Sequence, residues 1–294
     1  MLACKIIASA QRVFPNDQAV LLDIENTYDE VWGAKLGVDN SKLILVRPET
    51  GESAMDIQDV MIRTAGVSLV VVDSIAALTP FKEADSSAED AHIGLQARMV
   101  GSAVRKAGTA MSAERNRNHF VTLVNLNQFR SKIGGWSPGG DPTTTPGGRA
   151  LGFANSVEIT IKNKEIKGKD SHDVDAMTEN EHSFTLTKNK LNSGPRSGEF
   201  RIRRVADETT GLQEGEADEV GTMLAYAKKF GAYTGGGSSW KLSFDDYTNG
   251  FKGTDAAVKY FCEHTDEQWM LRNYLIRTQA QHIGMPQYFV NRFR

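Results

Sequence analysis

Apolar positions along the chain follow two spacings, and each spacing predicts its own element. Val20 to Asp23 is a short apolar run ending in acid, the mark of a buried strand, and Lys42 to Val46 reads the same way. Ser68 to Asp73 (SLVVVD) sets four apolar residues between a Ser and an Asp, the pattern of a parallel strand covered on both faces. Phe120 to Asn125 predicts a further strand. Between these runs the spacing lengthens to that of a helix. Met55, Val60 and Met61 predict one over 54–65, and Leu95, Met99, Ala103 and Ala107 form one stripe of a long helix over 91–113. Met1 to Gln11 predicts a helix with no capping residue and no preceding strand. Strand and helix in alternation predict an α/β fold with a mostly parallel central sheet and helices on both faces.

The pattern changes after residue 130. Ser131 to Gly148 is rich in Gly, Pro and Thr and predicts a long loop, a length usually reserved for function or disorder. Residues 156–162, 182–188 and 199–204 alternate like antiparallel strands with one exposed face, and the polar stretch 163–181 reads as a flexible connection between two of them. Helical spacing returns at 220–230, 255–262 and 266–279, with Gly235 to Ser238 as a Gly-rich interruption. We expect two domains, a core over 1–206 and a small α+β domain over 207–294.

Composition narrows the class. At 40% hydrophobic and 24% charged residues, the 294-residue chain is neither disordered nor fibrous. No run approaches the roughly 20 apolar residues of a membrane helix. Two cysteines, Cys4 and Cys262, make neither a disulfide framework nor a zinc cluster, so a reducing, cytoplasmic setting is expected. Leu2-Ala3-Cys4 resembles a lipoprotein cleavage site but lacks the basic and apolar segments that precede one. The net charge of -3 hides a division. Residues 98–132 hold seven bases against the single acid Glu114, whereas 206–294 holds 9 bases against 12 acids. The basic stretch is either a solvated helix face and loop or a surface for an anionic polymer.

Candidate chemistry sits at strand ends. Asp73 closes a buried strand, where open α/β sheets bind ligands, and suits the Mg²⁺-water shell beside phosphates; alternatively it caps the next turn with Ser74. Glu25 lies just past another strand and is placed to polarise a water. Asp29 and Trp32 could sandwich an adenine, or serve as helix-terminal charge and an interface aromatic. Asn127-Gln128 opens directly into the basic loop with Arg130, Lys132, Trp136, Thr143 to Thr145 and Gly147-Gly148. Backbone N–H groups at Gly-Gly before a helix suit an anion, and an aromatic in a basic loop suits base stacking; a plain surface loop is the alternative. Lys188 and Lys190 share one side of a strand, either protecting a sheet edge or binding phosphate.

Taken in order, the segments LLDIENTYDEVWGAKLGVD (21–39), PETGESAMDI (48–57), VVVDSIAALTP (70–80), EDAHIGLQARMVGSAVRK (89–106), VNLNQFRSKIGG (124–135), TTTPGGRALGFANSV (143–157) and LTKNK (186–190) resemble the RecA-type recombinases of bacteria and phages. The resemblance implies a RecA-like P-loop NTPase core, ATP and Mg²⁺ as cofactors, and single- and double-stranded DNA as partners. It also implies self-association into a helical filament for recombination, repair and the SOS response. By it, Glu25 would activate water, Asp73 would hold Mg²⁺ through water beside Ser74, and Asp29 and Trp32 would contact adenine. Gln128 would couple the γ-phosphate to the DNA loop, and Lys188 and Lys190 would reach a neighbouring subunit's ATP. Ile93, Arg98, Arg105, Arg130, Lys132, Trp136, Gly147, Gly148 and Arg149 would meet DNA.

The departures are specific. Trp32 stands where Tyr is usual and Ile93 where Met is usual; Pro146 is gained, and Gly152 and Glu158 replace a common Lys and Arg. No G-x-x-x-x-G-K-[ST] occurs; Gly194-Pro195-Arg196-Ser197-Gly198 lacks the Lys and follows a strand. The expectation is a recombinase truncated before or within its phosphate loop, short of about its first 70 residues for a typical domain size. A DNA-binding paralogue that does not hydrolyse ATP is the alternative, and a RecA-fold replicative helicase a more distant one.

Overall fold

The computed structural model describes residues 1–85, 94–131, 143–169, 175–191, 197–207, 211–282, 284 and 291. Its contacts divide the chain into two compact units, Met1–Asn155 and Ser156–Arg294.

The first unit runs α1 (Leu2–Val13), β1 (Gln18–Asp23), α2 (Glu30–Lys35), β2 (Leu43–Val46), α3 (Gly51–Arg63), β3 (Val67–Asp73), a one-turn α4 (Phe81–Ala84), α5 (Leu95–Asn116), β4 (Thr122–Asn125), β5 (Arg130–Ser131), β6 (Thr143–Thr144) and α6 (Gly148–Ala154). Four strands form a parallel sheet in the order β2-β1-β3-β4. Because side chains alternate across a strand, Val20, Leu22, Val70 and Val72 meet α3 and α5 on one face. Ala19, Leu21, Leu69 and Val71 meet α1 on the other. Both faces are covered, which is why β1 and β3 are apolar throughout rather than alternating. On α1, Ile7 is completely buried, and a side chain of that size contributes about 1.5–3 kcal/mol on leaving water.

Local chemistry sets the helix boundaries. Thr50 and Ser53 exchange hydrogen bonds in a capping box that starts α3. Gly51 packs closely, since a Cβ there would stand 3.1 Å from the Thr79 carbonyl oxygen and press on the end of the Met99 side chain. At the far end of α5, buried Glu114 receives Arg117 at 2.8 Å and faces His119 Nδ1 at 3.3 Å, while His119 Nε2 lies 2.8 Å from the Val67 carbonyl. That cluster fastens the end of α5 to the start of β3.

The second unit opens with an antiparallel sheet of β7 (Val157–Lys169), β8 (Asp175–Asn189) and β9 (Ser197–Arg203). The stretch 163–181, expected as a flexible connection, is instead strand up to Lys169 and again from Asp175, and 170–174 lies outside the described residues. Polar side chains there face one another across the ladder. Lys164 opposes Glu181, Glu181 bonds Arg201 at 2.7 Å, and Arg203 pairs with Glu179. Where charged pairs of this kind fill one face of the strands, the apolar alternation that marks a strand in sequence is lost.

The chain continues through α7 (Glu219–Lys229), β10 (Tyr233–Gly236), β11 (Ser239–Phe244), β12 (Tyr247–Phe251), α8 (Thr254–Glu263) and α9 (Thr265–His282). The Gly-rich stretch 235–238 is the tip of the first hairpin in a β10-β11-β12 meander. Val220, Leu224, Leu242, Phe244, Phe261 and Leu271 gather into their own core. Among the described residues, no helix is long and apolar enough to cross a membrane.

Candidate functional site

Parallel pairing places Asp23 opposite Asp73, so β1 and β3 end side by side. The backbone N–H groups of Ile24 and Glu25 both donate to the Asp73 carbonyl, at 2.8 and 3.3 Å. That docks Glu25 onto the end of β3. A cis peptide joins Asp73 to Ser74, and the Ser74 hydroxyl donates to Glu25 Oε1. Ser74 therefore serves Glu25 and makes no side-chain cap to the 3-10 turn Ile75–Ala77 that follows. Gln128, just past β4, donates from Nε2 to the same Glu25 oxygen at 2.9 Å. Three neighbouring strand ends thus deliver one carboxylate, one hydroxyl and one amide to a single point.

The electrostatics there are those of crowded acids. Burial, then the charges of Glu25 and Asp23, push the Asp73 carboxyl up, opposed by the amino group at Met1. Burial pushes the neighbouring Cys4 thiol up as well. Asp23, only 1% exposed, accepts from the Thr27 and Tyr28 N–H groups at 3.0 and 3.2 Å and from Arg47 Nε at 3.2 Å. It holds the turn that carries Glu25. The sequence marked Asp23 only as a strand end; its two-residue offset from Glu25 on a buried strand was the available signal. Among the described residues, no group of three or more His, Cys, Asp or Glu forms a metal cage.

Asp29 caps α2, accepting from Val31 N at 2.8 Å and Trp32 N at 3.0 Å, and so fixes the half-buried Trp32. Beneath it, Tyr28 donates to Asn40 Oδ1 at 2.6 Å, and burial, followed by nearby Cys4, Glu30 and Asp29, pushes its phenol up to about 12. Gly33 leaves room for that ring, since a Cβ would lie 2.8 Å from Tyr28 Cζ.

Three of the arginines expected to meet DNA lie on α5 and α6. Arg98, Arg105 and Arg149 are exposed. Gly101 and Gly148 let the two helices approach closely, a Cβ on them reaching Ala150 at 3.4 Å and Ala97 at 3.1 Å. Gly147 and Gly148 both have left-handed φ, +93° and +72°, which only glycine adopts without strain. Arg130 donates to the Ala76 carbonyl at 2.8 Å, tying the loop's start to the segment after β3. Ile93, Lys132 and Trp136 lie outside the described residues. In the second unit, Lys188 sits near the end of β8 opposite Glu158, and the Lys190 N–H donates to the Ser156 carbonyl at 2.8 Å. Desolvation, then the nearby charge of Lys190, push the Lys188 ammonium down.

Residues 1–205 match the RecA N-terminal domain family. Protein RecA of Bacillus subtilis (strain 168) is 34% identical over 268 residues, 91% of this chain and 69% of that protein. Protein RecA of Bacillus licheniformis is 36% identical over the same shares, and that of Teredinibacter turnerae 32% identical over 96% of this chain and 75% of its own length. With a family match over most of its length and relatives at this identity, the chain belongs to the RecA family.

Proposed function

We propose that the chain serves homologous recombination and DNA repair as a cytoplasmic, ATP- and Mg²⁺-dependent DNA-binding protein that assembles into filaments and exchanges strands. One observation carries the proposal: Glu25 is held by Ser74 and Gln128 where β1, β3 and β4 end together. A carboxylate fixed in that way can hold and orient a water and accept its proton, while Gln128 registers any change at that carboxylate. Asp73 would hold Mg²⁺ through water beside Ser74, and its crowding by Glu25 and Asp23 is what a divalent cation relieves. Asp29 and Trp32 would hold the adenine. When bound, ATP would supply the γ-phosphoryl group to be hydrolysed and Mg²⁺ would offset the charge of its phosphates. Arg98, Arg105, Arg130, Lys132, Gly147, Gly148 and Arg149 would hold DNA phosphates, with Ile93 and Trp136 against the bases. Lys188 and Lys190 would reach the ATP of a neighbouring subunit.

The residues present fit water activation and the metal's water shell. They do not include the G-x-x-x-x-G-K-[ST] cradle for the β- and γ-phosphates. A second reading is a paralogue that binds DNA and modulates filaments without hydrolysis. One experiment separates the two. The purified 294-residue chain should show little DNA-stimulated ATP hydrolysis. A P-loop segment, fused or added in trans, should create it, and Glu25→Gln should then abolish it. Hydrolysis that survives Glu25→Gln would refute the role given to Glu25. No gain from the added segment would favour the paralogue.

A further inference from the structure

The contacts around Asn127 carry more than the hydrolytic reading needs. Asn127 is placed between the two ends of the segment that runs from Gln128 to Gly147. Its Nδ2 donates to the Pro146 carbonyl at 2.9 Å, and its Oδ1 accepts the backbone N–H of Gln128 at 3.0 Å. Just beyond, Arg130 and Ser131 pair antiparallel with Thr144 and Thr143. The two ends therefore close into a neck of two backbone rungs and one side-chain clamp. The neck rests on the site. A Cβ on Gly147 would stand 3.0 Å from Ile75 Cγ2, Ile75 follows Ser74, and the Ile75 N–H donates to the Leu126 carbonyl at 2.9 Å.

We propose that Asn127 is a positioning residue that fastens the Pro146-Gly147 end of this segment to the Gln128–Glu25 contact, so that a change at Glu25 moves both ends of the neck together. Gln128 alone would pull on one end, since it is continuous with β5 only. Asn127 adds the second end. One amide serves two bonds of opposite sense, donating to Pro146 and accepting from Gln128, and Asn is the residue of that length with both functions. The proposal rests on the reading of Glu25 and Gln128 given above, and extends it to the regulation of that same site.

Isosteric replacement separates the two bonds. Asn127→Asp keeps the acceptor for Gln128 but sets a second acceptor against the Pro146 carbonyl, whereas Asn127→Ala removes both. The measurement is amide hydrogen exchange over residues 143–155 of the full chain, with β1 and β3 as the internal control for intact folding. Both variants should exchange there about three- to tenfold faster than the parent, the scale of one net hydrogen bond. Gln128→Ala should also speed exchange over 143–155 in the parent, and should add nothing in an Asn127→Asp background, since the two act in series. Unchanged exchange in Asn127→Asp, or additive effects in the double variant, would overturn the proposal. Faster exchange in Asn127→Ala alone would assign the effect to the Gln128 N–H bond and overturn it equally. Single-stranded DNA binding of the parent, followed by fluorescence anisotropy of a labelled oligonucleotide, tests the DNA reading separately. Failure to bind would sink that reading while the exchange cycle still decides the clamp.

Discussion

His182 shows how a residue remote from any chemistry sets a condition on the fold. Its ring stacks on Phe200 with centroids 4.9 Å apart, and its Nε2 is buried without a hydrogen-bond partner. Burial lowers its pKa in the fold. In the unfolded chain the imidazole titrates near its ordinary value of about 6.5, so below that pH the unfolded state binds the proton more readily. Stability is therefore full above pH of about 6.5 and declines as pH falls toward the lowered folded value. Chemical denaturation at neutral and mildly acidic pH should show this loss, and His182→Phe should flatten it; an unchanged slope would remove His182 as the cause. Other single residues were only partly legible. Asp73 and Glu25 stand out because a carboxylate at the end of an apolar run is conspicuous. Asp23 does not, because a buried Asp paired with Arg47 twenty-four positions on leaves no local trace. Ser74 suits a neighbour of Mg²⁺ or a cap from sequence alone, and its bond to Glu25, 49 residues away, follows only from strand pairing.

At the scale of elements, what could be read from sequence tracks how each element is buried. The parallel strands were legible because both their faces are covered, which makes them continuously apolar. The ribbon of β7 and β8 was legible only in part, because charged pairs occupy positions where alternation would have shown. The β10-β11-β12 meander was hidden behind Gly235 to Gly237, whose turn chemistry resembles a linker. Helix α1 gives this account a quantitative test. Ile7 fills the face of the sheet formed by Leu21, Leu69 and Val71. Ile7→Ala should cost about 2–5 kcal/mol, the range for a large-to-small change in a packed core. A lower midpoint of denaturation with an unchanged slope would bear this out. A loss under about 1 kcal/mol would mean the face closes over the cavity.

For the whole molecule, the net charge of -3 conceals a basic segment over 98–132 and an acidic C-terminal part. If Arg98 and Arg105, both exposed on α5, hold phosphates, binding to single-stranded DNA must weaken as salt rises. Each neutralised phosphate adds about 0.7 to the slope of log affinity against log salt. Arg98→Ala and Arg105→Ala should each flatten that slope by about this amount and weaken binding alike to all sequences. A variant that changes sequence preference instead would mean base contact rather than phosphate contact.

The strand order has a consequence for how the protein comes into being. Ala19 pairs with Leu43 on one side and Leu69 on the other, and Leu69 pairs in turn with Thr122. Every rung of the central sheet joins parts of the chain well separated in sequence, so each pairing must close a long loop before its contacts reward it. Glu25, Ser74 and Gln128 meet only when the last strand is in place. The three-residue cluster is thus complete only once β4 has paired, whereas the Glu25–Ser74 contact needs β1 and β3 alone.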